Sequence, residues 1–134
     1  MKVRGLDNKS HTLQLDIKNR GESSQLHVRA RKILQELMPF DKAFEEVALE
    51  GSKTSKNGLL YVDFLLPSQS LAIEVQGEQH SKYVPFFHKT KAGFTRSKVR
   101  DDIKREWCEL NDITLVELPY NETDDEWKCR IKNR

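Results

Sequence analysis

The first sustained pattern along the chain is helical. Leu26, Ala30, Ile33, Leu34 and Leu37 recur at three- and four-residue spacing until Pro39 ends the run. This predicts a helix from Gly21 to Met38. Ahead of it, Leu13-Gln14-Leu15-Asp16-Ile17 alternates and reads as a short edge strand. After it, Phe44–Glu50 reads as a strand and Gly51–Gly58 as a flexible turn. Two apolar runs, Leu59–Leu66 and Leu71–Gln76, flank Pro67-Ser68-Gln69-Ser70 and predict a hairpin. Gly77–Gly93 carries no period and holds Tyr83, Pro85, Phe86 and Phe87. From Thr95 onward Val99, Ile103, Trp107 and Leu110 fall on one helical stripe, and Ile113–Leu118 is a last strand closed by Pro119. Helix, three strands, helix, strand is the order of a single α/β domain with a mixed central sheet flanked by helices. Its core covers about residues 20–120, and a chain of 134 residues supports one hydrophobic core.

Strand alternation decides which side chains meet. In the second strand Leu60, Val62, Phe64 and Leu66 share a face, and Asp63 lies on the other. In the third, Leu71, Ile73 and Val75 oppose Ala72, Glu74 and Gln76. With the apolar sets on the main core, Asp63, Glu74 and Gln76 come together on the far face. Two carboxylates so placed repel unless a positive charge joins them. Mg²⁺ suits such a pair, because it takes one or two carboxylates plus waters and substrate phosphate, and it activates water toward phosphorus. Surface acids on an exposed sheet are the other reading of the same alternation. Glu22, four residues before Leu26, falls at the N-terminal end of the inward stripe, within reach of the same ion. Asn19 followed by Glu22 equally matches a capping box.

Composition changes this picture little; distribution changes it more. Lys and Arg number 23 against 21 Asp and Glu, for a net charge of +2. Lys82, His88, Lys89, Lys91, Arg96, Lys98 and Arg100, however, cluster with only Asp101 and Asp102 against them. That run fits a phosphate-facing surface as well as a solvated helix face, and the basic residues from Lys128 to Arg134 fit a frayed tail. No apolar run approaches the ~20 residues of a membrane span, and the N-terminus lacks a signal peptide's apolar stretch. Cys108 and Cys129 stand far apart without metal-ligand spacing and read as free thiols. The expectation is a cytoplasmic protein with no membrane partner.

Asp63, ten intervening residues, then Glu74-Val75-Gln76 resembles the hallmark of the PD-(D/E)XK nucleases. The common core of that superfamily, restriction-endonuclease-like, has the element order read above. Ile73-Glu74-Val75-Gln76-Gly77-Glu78-Gln79-His80 is similar to a phage and bacterial branch related to very short patch repair and homing endonucleases. Pro85-Phe86-Phe87, Gly93-Phe94, Asp101 with Lys104, Cys108, and Leu118-Pro119-Tyr120 extend the likeness. The resemblance implies an Mg²⁺-dependent endodeoxyribonuclease (Mn²⁺ substituting) of a bacterial or phage-infected cell, acting on double-stranded or branched DNA, with a homodimer as an attractive assembly. It implies Asp63, Glu74 and the Val75 carbonyl as metal ligands, Glu22 as the helix-one acid, and His80 as a general acid/base past the third strand, with His88 behind it. Asp101 would match a helix-two acid that holds a histidine or arginine. Two positions depart from the motif. Val62 replaces a dispensable proline, and Gln76 replaces a lysine that would bring charge to the reacting phosphate. Lys98 or Lys104 is then the substitute cation, or catalysis is slow or lost and the chain only binds DNA. Gly77 allows a tight turn and close approach of DNA. Tyr83, Phe86 and Phe87 form a small core beneath their loop or stack on bases.

Overall fold

The computed structural model describes residues 1–15, 24–54, 58–77 and 91–134, the side chains of residues 91–97 excepted. Two short strands, β1 (Lys2–Arg4) and β2 (Ser10–Thr12), open the chain as an antiparallel hairpin. The N-terminal strand expected at residues 13–17 therefore lies earlier. Leu13 is buried just past β2, where its N–H bonds the Met1 carbonyl, and Ile17 is outside the described residues.

Helix α1 spans Gln25–Leu37, and its cap is Ser24, whose hydroxyl accepts from the His27 N–H at 3.1 Å. This corrects the expected capping box at Asn19: a serine in extended backbone already satisfies the first free donor. Glu22 precedes that cap, outside the described residues. The buried stripe of His27, Ala30, Ile33 and Leu34 follows the spacing read in the sequence.

Four strands form one mixed sheet: β3 (Phe44–Ala48), β4 (Tyr61–Leu66), β5 (Leu71–Gln76) and β6 (Thr114–Pro119). They lie in that order, the first two pairings antiparallel and the last parallel. The β4–β5 turn is a short 3₁₀ segment, Pro67–Gln69, closed by Ser70 in left-handed backbone. Helix α2 (Lys91–Leu110) makes the crossover that parallel pairing requires. It begins before the expected Thr95.

Helix α3 (Asp124–Lys132) is the element the sequence reading missed, a basic tail having been expected there. A capping box between Thr123 and Glu126 starts it, and Trp127 and Ile131 are buried. Arg29 of α1 stacks 3.8 Å above the Trp127 ring, bonds the Glu122 carbonyl at 2.6 Å and pairs with Asp124. The Trp127 indole N–H in turn donates to the Pro119 carbonyl at 2.8 Å.

Helices α1 and α3 cover one sheet face through Ile33, Leu34, Phe64, Ile73, Leu118 and Trp127. The hairpin and α2 cover the other through Val3, Val47, Val62, Leu65, Ala72 and Trp107. Alternation placed Val62 with Phe64 and Leu66; instead it packs on the opposite side. The phase breaks at Asp63 and its register neighbour Glu46, which has φ +47° in mid-strand. Such a local distortion re-aims side chains, and here it falls on the carboxylate of interest. The α2 stripe also differs from expectation. Trp107 is buried as expected, but Val99 and Leu110 are exposed and Asp101 and Cys108 are buried instead, so the helix is turned to bring Asp101 and Lys104 toward the sheet. No helix among the described residues is long and apolar enough to cross a membrane.

Candidate functional site

Asp63 on β4 and Glu74 on β5 meet where the antiparallel ladder stops. Its last backbone register pair is Phe64 with Ile73. One step further, side chains replace the carbonyls. The Asp63 N–H donates to Glu74 Oε2 at 3.2 Å, and the Val75 N–H donates to Asp63 Oδ2 at 2.7 Å. Each carboxylate thus braces the neighbouring strand, and Asp63 Oδ1 and Glu74 Oε1 are left out of this backbone exchange. At the two ends of β5, Ser70 just before it and Gln76 as its last residue give their carbonyls to Thr114 and Tyr120 of the β6 side. By strand alternation the Val75 carbonyl faces β4, on the side of Asp63.

Lys104 enters from α2. Its Nζ lies 2.7 Å from Glu74 Oε1, both side chains largely buried. Burial first, then the negative charge of Asp63, push the Glu74 carboxyl up to about 7, and Lys104 offsets this only in part. The Cys108 thiol, one turn along α2, is pushed up to about 12 by burial and by the charge of Glu74. It is an inert part of the wall rather than a nucleophile.

The sequence reading brought Asp63, Glu74 and Gln76 to one face; the structure joins Asp63 to Glu74 and Val75 through the backbone bonds above and directs Gln76 to Glu117 of β6. It separates the two candidate cations: Lys104 reaches Glu74, and Lys98 stands exposed near the start of α2. Asp101 is buried on the same helix face as Lys104. Arg100 is half-buried; the side chains of Lys91 and Arg96 fall outside the description, and His80, Lys82, His88, Lys89, Tyr83, Phe86 and Phe87 lie wholly outside it.

Two residues escaped the sequence reading. Glu117 of β6 is the register partner of Glu74. Arg105 grips it with Nε on Oε1 at 2.5 Å and Nη2 on Oε2 at 2.9 Å, and its Nη1 also meets Asp102 at 2.6 Å. Gln76 Nε2 donates to Glu117 Oε2 at 2.8 Å. The available signal was an isolated acid in the apolar strand Ile113–Leu118. On the opposite sheet face His27 stacks on Phe64 and bonds Glu45 at 2.6 Å, and Arg31 bonds both oxygens of Glu45. Against the effect of burial, these partners hold Glu45 below the usual carboxylate range.

A groove of about 600 Å³ runs along the β6 edge and α3, lined by Glu117, Glu122, Arg130 and Arg134 among others. It does not reach Asp63 or Glu74. Among the described residues no three His, Cys, Asp or Glu side chains cluster as a complete metal cage. Two carboxylates and a carbonyl are the donors present, a set that suits an ion keeping several waters.

The chain is similar to three viral proteins. It shares 39% identity over 88 residues with the uncharacterized protein 307L of Invertebrate iridescent virus 6, covering 64% of this chain and 45% of that one. It shares 34% over 99 residues with the uncharacterized protein 033L of Invertebrate iridescent virus 3, covering 72% and 50%. With the uncharacterized protein 094L of Frog virus 3 it shares 37% over 91 residues, covering 66% and 59%. The matched part is thus about half the length of these relatives. No family model and no solved structure matches the chain.

Proposed function

We propose that the chain is a metal-dependent endonuclease of the PD-(D/E)XK type that hydrolyses phosphodiesters of double-stranded or branched DNA. The observation that carries this reading is the convergence of Asp63, Glu74 and Lys104 at one point of the sheet. The mixed sheet and the order helix, three strands, helix, strand support a restriction-endonuclease-like core. The hairpin before it and α3 after it are additions to that core.

The donors fit a hard divalent cation, Mg²⁺ or Mn²⁺. The carboxylates of Asp63 and Glu74 and the Val75 carbonyl offer only oxygen donors, and Glu74 carries repulsion from Asp63 that a further positive charge relieves. When bound, such an ion supplies Lewis acidity toward a phosphoryl oxygen and a water of lowered pKa. Lys104 contributes what the motif's lysine would otherwise bring from position 76, a positive charge beside Glu74 that stabilises negative charge developing on phosphorus. Glu22 and His80 keep the roles that the resemblance implies, an acid beside the metal and a general acid/base. Lys82, His88, Lys89, Lys91, Arg96, Lys98 and Arg100 form the phosphate-contacting stretch.

The test is nicking of supercoiled plasmid and of branched DNA with Mg²⁺ or Mn²⁺, by the wild type and by Asp63→Ala, Glu74→Ala and Lys104→Ala. Metal-dependent cleavage lost in the first two variants supports the reading. A pure wild type that retards these DNAs on a gel and cleaves none of them sinks it. That outcome favours a second reading, a nuclease-fold DNA-binding protein without catalysis, for which Gln76 in place of lysine is the motivating observation.

A further inference from the structure

Gln76 has one donor end and one acceptor end, and its neighbours decide which way the amide stands. Glu117 is the partner, and an ionised carboxylate only accepts. Arg105 occupies both its oxygens, bidentate at 2.5 and 2.9 Å, and fixes the carboxylate plane. The Gln76 amide must therefore give its NH₂ group to Glu117, as it does at 2.8 Å, and Oε1 is turned away from that partner. Gln76 and Glu74 are two residues apart on β5 and share a sheet face, and Glu117 stands in register beside Glu74 on β6. With three of its roughly four lone-pair positions taken by Arg105 and Gln76, Glu117 is poorly placed to bind a cation itself, although it stands in register beside Glu74.

We infer that Glu117, clamped by Arg105, is a positioning residue that holds Gln76 as a hydrogen-bond acceptor, with Oε1 presented to the cation or its water at Asp63 and Glu74. This rests on the nuclease reading for its purpose, but the orientation of the amide does not. Divided labour follows: Lys104 supplies charge, and Gln76 supplies an oxygen. A lysine placed at position 76 would be captured by Glu117 and would not duplicate Lys104.

A double-mutant cycle on the full chain tests it, with Gln76→Ala, Glu117→Ala, and both together, read by Mn²⁺ affinity from titration calorimetry and by cleavage in parallel. Residues that orient a metal's surroundings typically carry about 10–100-fold in affinity or activity. Each single variant is expected to weaken Mn²⁺ binding by about tenfold, and the double variant no more than either, because Glu117 acts through Gln76. Arg105→Ala should behave like Glu117→Ala, and Arg105→Lys should rescue it only in part, since a lysine lacks the bidentate fork. Additive losses, or a Glu117→Ala protein that binds Mn²⁺ normally, overturn the inference, as does a wild type that binds no Mn²⁺. A non-additive cycle in Mn²⁺ affinity, in a wild type that cleaves no DNA, upholds the positioning and removes only the nuclease reading.

Discussion

Glu74 is held at a cost that its surroundings meet only in part. Its folded value of about 7 lies above the ordinary 4.5, so the native chain binds that proton more tightly than the unfolded one. The contribution of Glu74 to metal-free stability is therefore complete below pH 4.5 and lost as pH rises through 7. Glu74→Gln mimics the protonated form, and is expected to melt like the wild type at pH 4 but to be more stable at pH 8. A gain of about 1–3 kcal/mol follows from the size of the shift, measured by denaturant unfolding with chelator present. Equal stability of the two proteins at pH 8 would count against a destabilised carboxylate. On the proposed metal-binding reading the same proton competes with Mn²⁺, so metal affinity should climb from pH 6 to 8 with proton release near one per ion. Lys104→Ala removes the larger of the offsets, the Asp63 N–H being the other, and on the nuclease reading should cost about 10²-fold in kcat with DNA affinity little changed. Glu74 and Gln76 were legible at this scale from the alternation of β5, whereas the break of phase at Asp63 on β4 was not, because a left-handed residue on the neighbouring strand has no local signature. Glu117 was not, since its meaning depends on a parallel register that no local pattern encodes.

Among the elements, α1, β3, β4, β5 and β6 were readable from apolar period and turn residues. Helix α3 was not: its nine residues include only Trp127 and Ile131 as buried apolar positions, and all the others but Cys129 are charged. Its helicity comes from a cap and from docking, not from a long stripe. Trp127→Ala should accordingly cost about 3–5 kcal/mol, because it empties a fully buried site and strips the platform under Arg29. Thr123→Ala, which removes only the cap, should cost about 1 kcal/mol, and both are checked by urea unfolding. If Trp127→Ala is no worse than Thr123→Ala, the helix is a passive appendage. The rotation of α2 has a different origin. Val99 and Leu110 match the helical period as well as the true inward residues do, but the sheet face beneath α2 carries carboxylates. Lys104 is turned inward because Glu74 is there to receive it.

For the molecule as a whole, the least visible feature was how the N-terminal hairpin is fastened. Asn111 accepts from the Arg4 N–H at 2.7 Å and donates to the Arg4 carbonyl at 2.9 Å, joining residues at opposite ends of the chain. Leu6 also bonds the Gly51 carbonyl at 2.9 Å. Gly51 has φ +85°, and a Cβ built there would stand 2.3 Å from the Gly5 Cα. Gly51→Ala should thus destabilise the whole fold by at least about 1–3 kcal/mol, whereas Gly58→Ala, with open space around it, should be near neutral. Thermal melting of the two variants checks this, and equal melting points would mean the hairpin contact is dispensable.

The two rims of the sheet bear on how copies of this chain behave in a crowded solution. At one rim, β3 is interrupted by the left-handed Glu46; at the other, β6 ends in Pro119, which has no N–H to offer and whose carbonyl already serves Trp127. Between Thr114 and Tyr120 only Leu115 and Glu117 turn a complete backbone unit outward. Neither margin gives an incoming strand a run long enough to template fibrous growth. Self-association by strand addition is therefore disfavoured at both sides, and a twofold assembly of this chain would have to be built from helix and loop surfaces.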